Sequence, residues 1–225
     1  MPNRTPKTPI VKLRPKGTHR CLGGHPWIFD NEIEPPGGIA PGAEVDVNDA
    51  HGRFVGRGYF DSASRITIRL FSRSPSASLD VDLFLKRLGQ ARDRRRLFLP
   101  EDEPRRVLFS EGDRLPGVIV DAYGPYLVMQ ILTLGIEMRR EALVEALVET
   151  FAPDGVFERS DVSSRAREGL APRTGVVVGA VPERIETAVD GVRFAVRPAT
   201  GHKTGAYLDQ RWTRRRFAAL APGGA

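Results

Sequence analysis

The sequence predicts an α+β fold in more than one domain: a small N-terminal β-barrel, a central sheet covered by helix, and a closing hairpin and helix. Three observations carry this. The 225 residues exceed the ~100–150 of a common single domain. The apolar spacing has period two up to residue 70, turns helical over 79–99, and then mixes both periods. Ser72–Ser78, rich in serine and proline, reads as a linker between the first two regimes. The resulting divisions are 1–75, 76–184 and 185–225.

In the first part, residues 9–74 read as short strands and turns. Ala43, Val45 and Val47 alternate with Glu44 and Asp46, the signature of a half-buried strand. After the turn Asp49–Gly52, Phe54, Val55, Tyr59 and Phe60 resume a strand, and Ile66, Ile68 and Leu70 alternate with Arg65, Thr67 and Arg69. Gly56 and Gly58 within a strand mark a bulge or the bend of a barrel. Pro35–Gly38 and Pro41–Gly42 are loops.

The second part opens with a helix over 79–99. Leu83, Phe84, Leu88 and Ala91 share its inner face, Asp80 and Asp82 lie in the first turn, and Arg92, Arg94, Arg95 and Arg96 in the last. That polarity complements the helix dipole. The turn-rich Ser110–Gly117 leads into a hairpin of Val118–Val120 and Tyr126–Leu132 about Tyr123-Gly124-Pro125. Ile136–Phe151 is an amphipathic helix with Leu143, Ala146 and Leu147 inward, and strands follow at Gly155–Phe157 and Val176–Val181. A helix covering a sheet is the layer this order makes.

The third part starts with a hairpin over Ile185–Val196, in which Val192, Phe194 and Val196 alternate with polar positions and Asp190-Gly191 signals a type I′ turn. A glycine-containing segment, Thr200–Arg211, runs into a helix reaching Leu220, with Thr213, Phe217 and Leu220 on one face. Ala221–Ala225 then reads as a helix stop.

Composition narrows the function. Apolar residues make up 40% and charged residues 28%, which excludes global disorder. No apolar run approaches the ~18 residues of a membrane helix, and the N-terminus lacks the apolar core of a secretory signal, so a cytoplasmic protein away from membranes is expected. A lone Cys21 and four histidines exclude a disulfide scaffold and an ordinary zinc module, so no metal is expected.

Charge is segregated as well as basic (34 Lys+Arg against 28 Asp+Glu, net +6). The first 29 residues carry Arg4, Lys7, Lys12, Arg14, Lys16 and Arg20 without an acid. Residues 30–50 carry six acids without a lysine or arginine, and Arg53, Arg57, Arg65, Arg69 and Arg73 follow. Such blocks allow one face of the barrel to bind a polyanion through its phosphates.

No catalytic constellation stands out. Gly201-His-Lys-Thr204 departs from a phosphate loop because histidine precedes the lysine, and no G-x-G-x-x-G follows a strand. Cys21 between His19 and His25 reads as a small half-buried apolar residue, not a nucleophile. His25-Pro-Trp-Ile-Phe29 offers either a base-stacking aromatic or ordinary packing of Trp27 and Phe29. The Arg92–Arg96 run and Arg214–Arg216 read as solvated helix charge.

Gly24–Phe29, Gly58-Tyr-Phe60 and Ile66–Leu70 together resemble the N-terminal PUA domain of class I S-adenosylmethionine-dependent 23S ribosomal RNA (cytosine-C5) methyltransferases. Ser110–Gly117, Val120–Gly124, Glu158–Asp161 and Arg167–Gly169 resemble that family's central domain. Thr200-Gly-His-Lys-Thr-Gly-Ala-Tyr-Leu-Asp-Gln-Arg211, the most specific match, resembles the segment entering its Rossmann-like cofactor domain. The resemblance covers the whole chain in order and implies that 225 residues correspond to the N-terminal portion only. The glycine loop, the base-binding motif and the catalytic cysteine would lie beyond Ala225.

The implied chemistry is addition of a thiolate to cytosine C6, attack of C5 on the sulfonium methyl, and loss of the C5 proton with the thiolate. No residue of this chain is assigned to it. The resemblance implies that Lys203, Tyr207, Asp209, Gln210 and Arg211 form one wall of an S-adenosylmethionine site, with Asp209 also suited to cap the following helix. Ribosomal RNA is the implied partner, docked on the barrel through Lys12, Arg14, Lys16, Arg20, Arg53 and Arg57, with His25 and Trp27 near the bases. A homodimer is left open. The alternative is a non-enzymatic RNA-binding protein that retains the PUA and central domains.

Overall fold

The computed structural model describes residues 8–221. Arg4 and Lys7 of the basic run, and Pro222–Ala225 of the expected helix stop, lie outside them.

The barrel is built from β1 (Ile10–Lys12), β2 (Trp27–Ile28), β3 (Glu44–Asn48), β4 (Phe54–Phe60) and β5 (Ile68–Ser72), ordered β1-β3-β4-β5-β2. Closure comes from the segment after β2. Leu13 bridges Ile33, Arg14 N–H donates to the Glu32 carbonyl, and Glu34 N–H to that of Lys12. Alternate positions Val45, Val47, Ile68 and Leu70 fill the interior with Val11, Leu13 and Ile28. Gly58 lies where β4 crosses β5 most closely: a Cβ there would stand 2.6 Å from the Arg69 carbonyl oxygen.

One element departs from the expected strands and turns: the basic run is a helix, α1 (Pro15–Leu22). Its start carries the sequence signal of proline at the first turn. Gly17 lets it press against the 3-10 turn Asp30–Glu32, where a Cβ would meet the Glu32 carbonyl at 2.8 Å.

The central domain is a five-stranded sheet, β10-β9-β8-β7-β6. Its strands are β6 (Arg105–Phe109), β7 (Val118–Tyr123), β8 (Tyr126–Ile131), β9 (Gly155–Ser160) and β10 (Arg173–Gly179). All pair antiparallel except β8 with β9, which are parallel and joined by a helical crossover. Helices α2 (Val81–Arg96) and α4 (Arg140–Phe151) cover one face. Phe84, Leu88, Ala91, Leu143, Ala146 and Leu147 bury there against Val118, Val120, Met129 and Ile131. Asp80 caps α2 by accepting the Leu83 N–H at 3.1 Å.

The sequence reading missed β6, whose Arg105-Arg106 start conceals the buried Val107 and Leu108, and the short α5 (Ser163–Ala166). The helix expected over 136–151 is broken into α3 (Leu134–Glu137) and α4. The break turns Arg139 onto the barrel, where it donates to the Gly42 carbonyl at 3.1 Å and pairs with Glu44.

The other sheet face, through Tyr123, Val128 and Phe157, receives the hairpin β11 (Ile185–Val189) and β12 (Val192–Val196) by Ile185 and Val196. Positive φ at Asp190 (53°) and Gly191 (79°) gives the expected I′ turn. The final helix, α6 (Arg211–Leu220), leaves Trp212, Phe217 and Leu220 exposed. The chain is thus α+β, with barrel and sheet joined by buried contacts.

Candidate functional site

The segment Thr200–Arg211 is locked to the central sheet by groups whose ends are buried. Asp121 on β7, wholly buried, accepts two hydrogen bonds from Arg106 on β6 (2.8 and 3.0 Å) and one from the Thr204 hydroxyl. The Ala206 N–H donates to the Tyr123 hydroxyl at 3.1 Å. Arg159 donates to the carbonyls of Pro198 (2.7 Å) and Gly201 (3.0 Å). Gly205, at φ 134°, passes so close to β12 that a Cβ would stand 2.3 Å from the Val196 side chain. Thr204 and the glycines of this segment are therefore what seats this turn.

Its outward side carries Lys203, Tyr207 and Asp209. Lys203, at φ 56°, donates to both Asp209 oxygens (2.9 and 2.7 Å) and lies 4.7 Å from the Tyr207 ring centre, while His202 stacks on the same ring. The hydrogen bond from Lys203 holds the Asp209 carboxyl below its ordinary range. Tyr207 and Gln210 line an apolar groove of about 620 Å³ between β12 and α6, with Val192, Phe194 and Ala206. Arg211 points the other way: 4% exposed, it donates to the Pro104 carbonyl at 2.7 Å and pairs with Glu103. Asp209 makes no cap, since the helix starts at Arg211 without a side-chain capping bond. An aromatic wall beside an apolar groove suits a planar base. The Lys203–Asp209 pair, by contrast, already satisfies the charges that a cofactor's polar ends would need.

On the barrel the structure brings the basic and acidic blocks together. Arg57 is tied to Asp46 by two hydrogen bonds (2.7 and 3.0 Å) and to the Ala77 carbonyl. Arg53 pairs with Asp49, and Lys12 with Glu34 at 3.5 Å. Arg20 reaches the buried Glu32 at 2.5 Å and lies over Phe29. Arg14 and Lys16 are exposed and, among the described residues, form no ion pair. His25 accepts the Trp27 N–H through Nδ1 and abuts Arg20. The Trp27 indole donates to Glu111 of the central domain at 2.7 Å, so its polar edge is committed to the seam between the domains. Cys21 is on the buried face of α1, and burial pushes its thiol up to about 11, the state of a packing residue.

Sequence reasoning missed Asp121, Arg106, Arg159 and Glu103. Only the alternation of β6 and β7, which sets Arg106 opposite Asp121, could have signalled that pair. Among the described residues no cluster of His, Cys, Asp and Glu is placed to hold a metal ion, and no helix is long and apolar enough to cross a membrane.

Comparison with known proteins adds to this geometry. Residues 11–73 match the family model of a PUA-like domain, which is the barrel. A ribosomal RNA large subunit methyltransferase I from Aliivibrio fischeri is 40% identical over 211 residues, 92% of this chain and 52% of that protein. The protein of the same name from Shewanella denitrificans is 38% identical over 218 residues, 95% of this chain and 55% of its own length. The chain thus spans about half the length of the curated relatives it matches. A solved structure described as a putative SAM-dependent methyltransferase from Streptococcus mutans superposes with a TM-score of 0.78 at 20% identity, over 93% of this chain and 54% of its own. A second putative methyltransferase, complexed with SAH, gives 0.77 at 21% identity over 93% and 52%. These two likenesses show the fold.

Proposed function

We propose that this chain is the RNA-docking and central portion of an S-adenosylmethionine-dependent methyltransferase acting on large-subunit ribosomal RNA, at cytosine C5. The observation that carries the proposal is the alignment of ribosomal RNA large subunit methyltransferases I along 92% of the chain or more, with the PUA-like match falling on the closed barrel. The proposed domains are 1–75, 76–184 and 185–225, and the cytoplasm is the proposed location. Tyr207 and Gln210 would supply an aromatic and polar wall for the cofactor's base, and Lys203 and Asp209 would join only if their ion pair opens. Arg211 would hold the start of α6. The cofactor supplies the methyl group; on this chain the residues bind and orient.

For RNA, exposed Arg14 and Lys16 are the first candidates, since Lys12, Arg20, Arg53 and Arg57 already have carboxylate partners. Changing Arg14 and Lys16 to alanine together should weaken RNA binding and flatten its salt dependence.

The decisive experiment is removal of the gene that encodes this chain from its natural host, followed by bisulfite sequencing of the large-subunit RNA. Loss of one protected cytosine, restored by the intact gene, is expected. Unchanged protection would overturn cytosine-C5 methylation. The PUA-like barrel with its exposed Arg14 and Lys16 equally supports a second reading, a non-enzymatic RNA-binding protein. In that case RNA binding persists and protection is unchanged.

A further inference from the structure

Between the barrel and the central domain runs a cleft of about 590 Å³, floored by Leu70, Phe71 and Pro116. Three arginines from three different elements line it: Arg73 just after β5, Arg87 on α2, and Arg114 after the 3-10 turn Ser110–Asp113. Their partners are neutral. Arg73 donates to the carbonyls of Val55 and His25, and Arg87 to the Gln90 side chain and the Phe71 carbonyl. Among the described residues none of the three forms an ion pair, whereas most other arginines around them do, including Arg69, Arg94 and Arg95.

The one carboxylate that lines the cleft, Glu111, is already engaged. It accepts the Trp27 indole N–H through one oxygen and the Ser110 hydroxyl through the other. Arg87 Nε is buried and has no hydrogen-bond partner. A buried guanidinium donor without an acceptor is costly in a folded protein. Burial, and then the neighbouring Arg114, hold the Arg87 guanidinium below its ordinary range. Arg87 and Arg114 thus share one cleft, each without an ion pair of its own among the described residues. Arg114 is held in this place by a left-handed backbone, φ 60°, which side chains other than glycine and asparagine seldom adopt.

We propose that this cleft binds backbone phosphate of RNA, clamped by Arg73, Arg87 and Arg114. A phosphodiester has the missing charge, and its oxygens match the planar fork of a guanidinium. Because the arginines come from both domains, the clamp exists only where barrel and central sheet are docked. RNA as the source of the phosphate rests on the function proposed above; the anionic chemistry does not.

The test uses a fluorescein-labelled RNA hairpin and the intact protein, titrated across a salt series. Arg114→Gly removes one cation and suits the left-handed backbone, so it keeps the fold. Arg87→Gln removes the second, and Arg87→Lys restores charge without the fork. The expected result is a salt slope reduced by about 0.7–0.9 for each arginine removed, with Arg87→Lys keeping the slope but binding more weakly for want of the fork. An unchanged slope in Arg114→Gly and Arg87→Gln, while Arg14→Ala/Lys16→Ala lowers it, would overturn the cleft and leave RNA docking standing. No salt-sensitive RNA binding by the unaltered protein would overturn both. Inorganic pyrophosphate that binds the unaltered protein but not the variants, and fails to displace RNA, would assign the cleft to a small anion and overturn the RNA clamp.

Discussion

Arg69 and Glu168, ninety-nine residues apart, meet in the seam between barrel and central domain through two parallel hydrogen bonds of 3.0 and 2.7 Å. Both side chains are buried, and the Ser64 hydroxyl donates to the same carboxylate at 2.8 Å. A buried pair of this kind fixes a relative placement more than it adds stability, since desolvation offsets much of the attraction. The asymmetry is testable. Glu168→Ala should destabilise by about 3–5 kcal/mol, because it strands the Arg69 charge. Replacing both residues by leucine and methionine should recover most of that loss in urea unfolding. Equal losses in the single and double variants would contradict the assignment.

Gly135 and Tyr59 make the second seam contact. Tyr59, on β4, reaches out of the barrel into the central core, and its hydroxyl donates toward the Pro116 carbonyl (3.0 Å) and Thr133 (2.9 Å). A Cβ on Gly135 would stand 2.1 Å from the Tyr59 ring. The ring is held at its far end, so it has no easy retreat. Gly135→Ala should therefore cost about 3 kcal/mol, the upper part of the range for overpacking, and lower the melting temperature.

The Thr204–Asp121 contact predicts how the segment Thr200–Arg211 is held. Thr204→Val keeps the shape and deletes the donor, and should cost about 1–2 kcal/mol. It should also speed tryptic cleavage after Lys203. Lys203→Ala removes an exposed ion pair with Asp209 and an exposed contact with the Tyr207 ring, each worth about 1 kcal/mol or less, and should lower the melting temperature only slightly.

Alkaline pH should unfold the protein through three buried neutral groups. Burial raises the Cys21 thiol to about 11, Tyr123 to about 12, and Tyr59 further. Each proton is held more tightly in the folded state than in the unfolded chain. Their contribution is complete below about pH 9, where the unfolded thiol begins to titrate, and is lost as pH rises through the folded values. Stability measured by urea should therefore fall from pH 9 upward. Cys21→Ala should delay the first part of that fall.

Much of the fold is legible along the chain because the signals are local. The alternation of β3 and β5, the Phe84–Leu88–Ala91 face of α2, and Asp190-Gly191 each encode their element within a few residues. The misses have local causes as well. Arg105-Arg106 masked β6, and the basic charge of Pro15–Leu22 drew notice away from a helix with proline at its start. The family resemblance singled out Thr200–Arg211 but not which of its residues face outward.

What the chain alone determined is therefore most of its elements and its two apolar periods. Only the folded molecule decided what happens to the charges. Blocks that look segregated at 1–29 and 30–50 are brought side by side when the segment after β2 closes the barrel, so that Lys12 and Arg20 meet Glu34 and Glu32, while the β3–β4 pairing sets Arg57 against Asp46. Among the described residues, three arginines without an ion pair converge on one cleft, Arg73, Arg87 and Arg114, residues that no run or motif connects. Periodicity is a property of neighbours in sequence, and it survives in the linear text. Electrostatic pairing acts through space, and so is set only once distant strands have met.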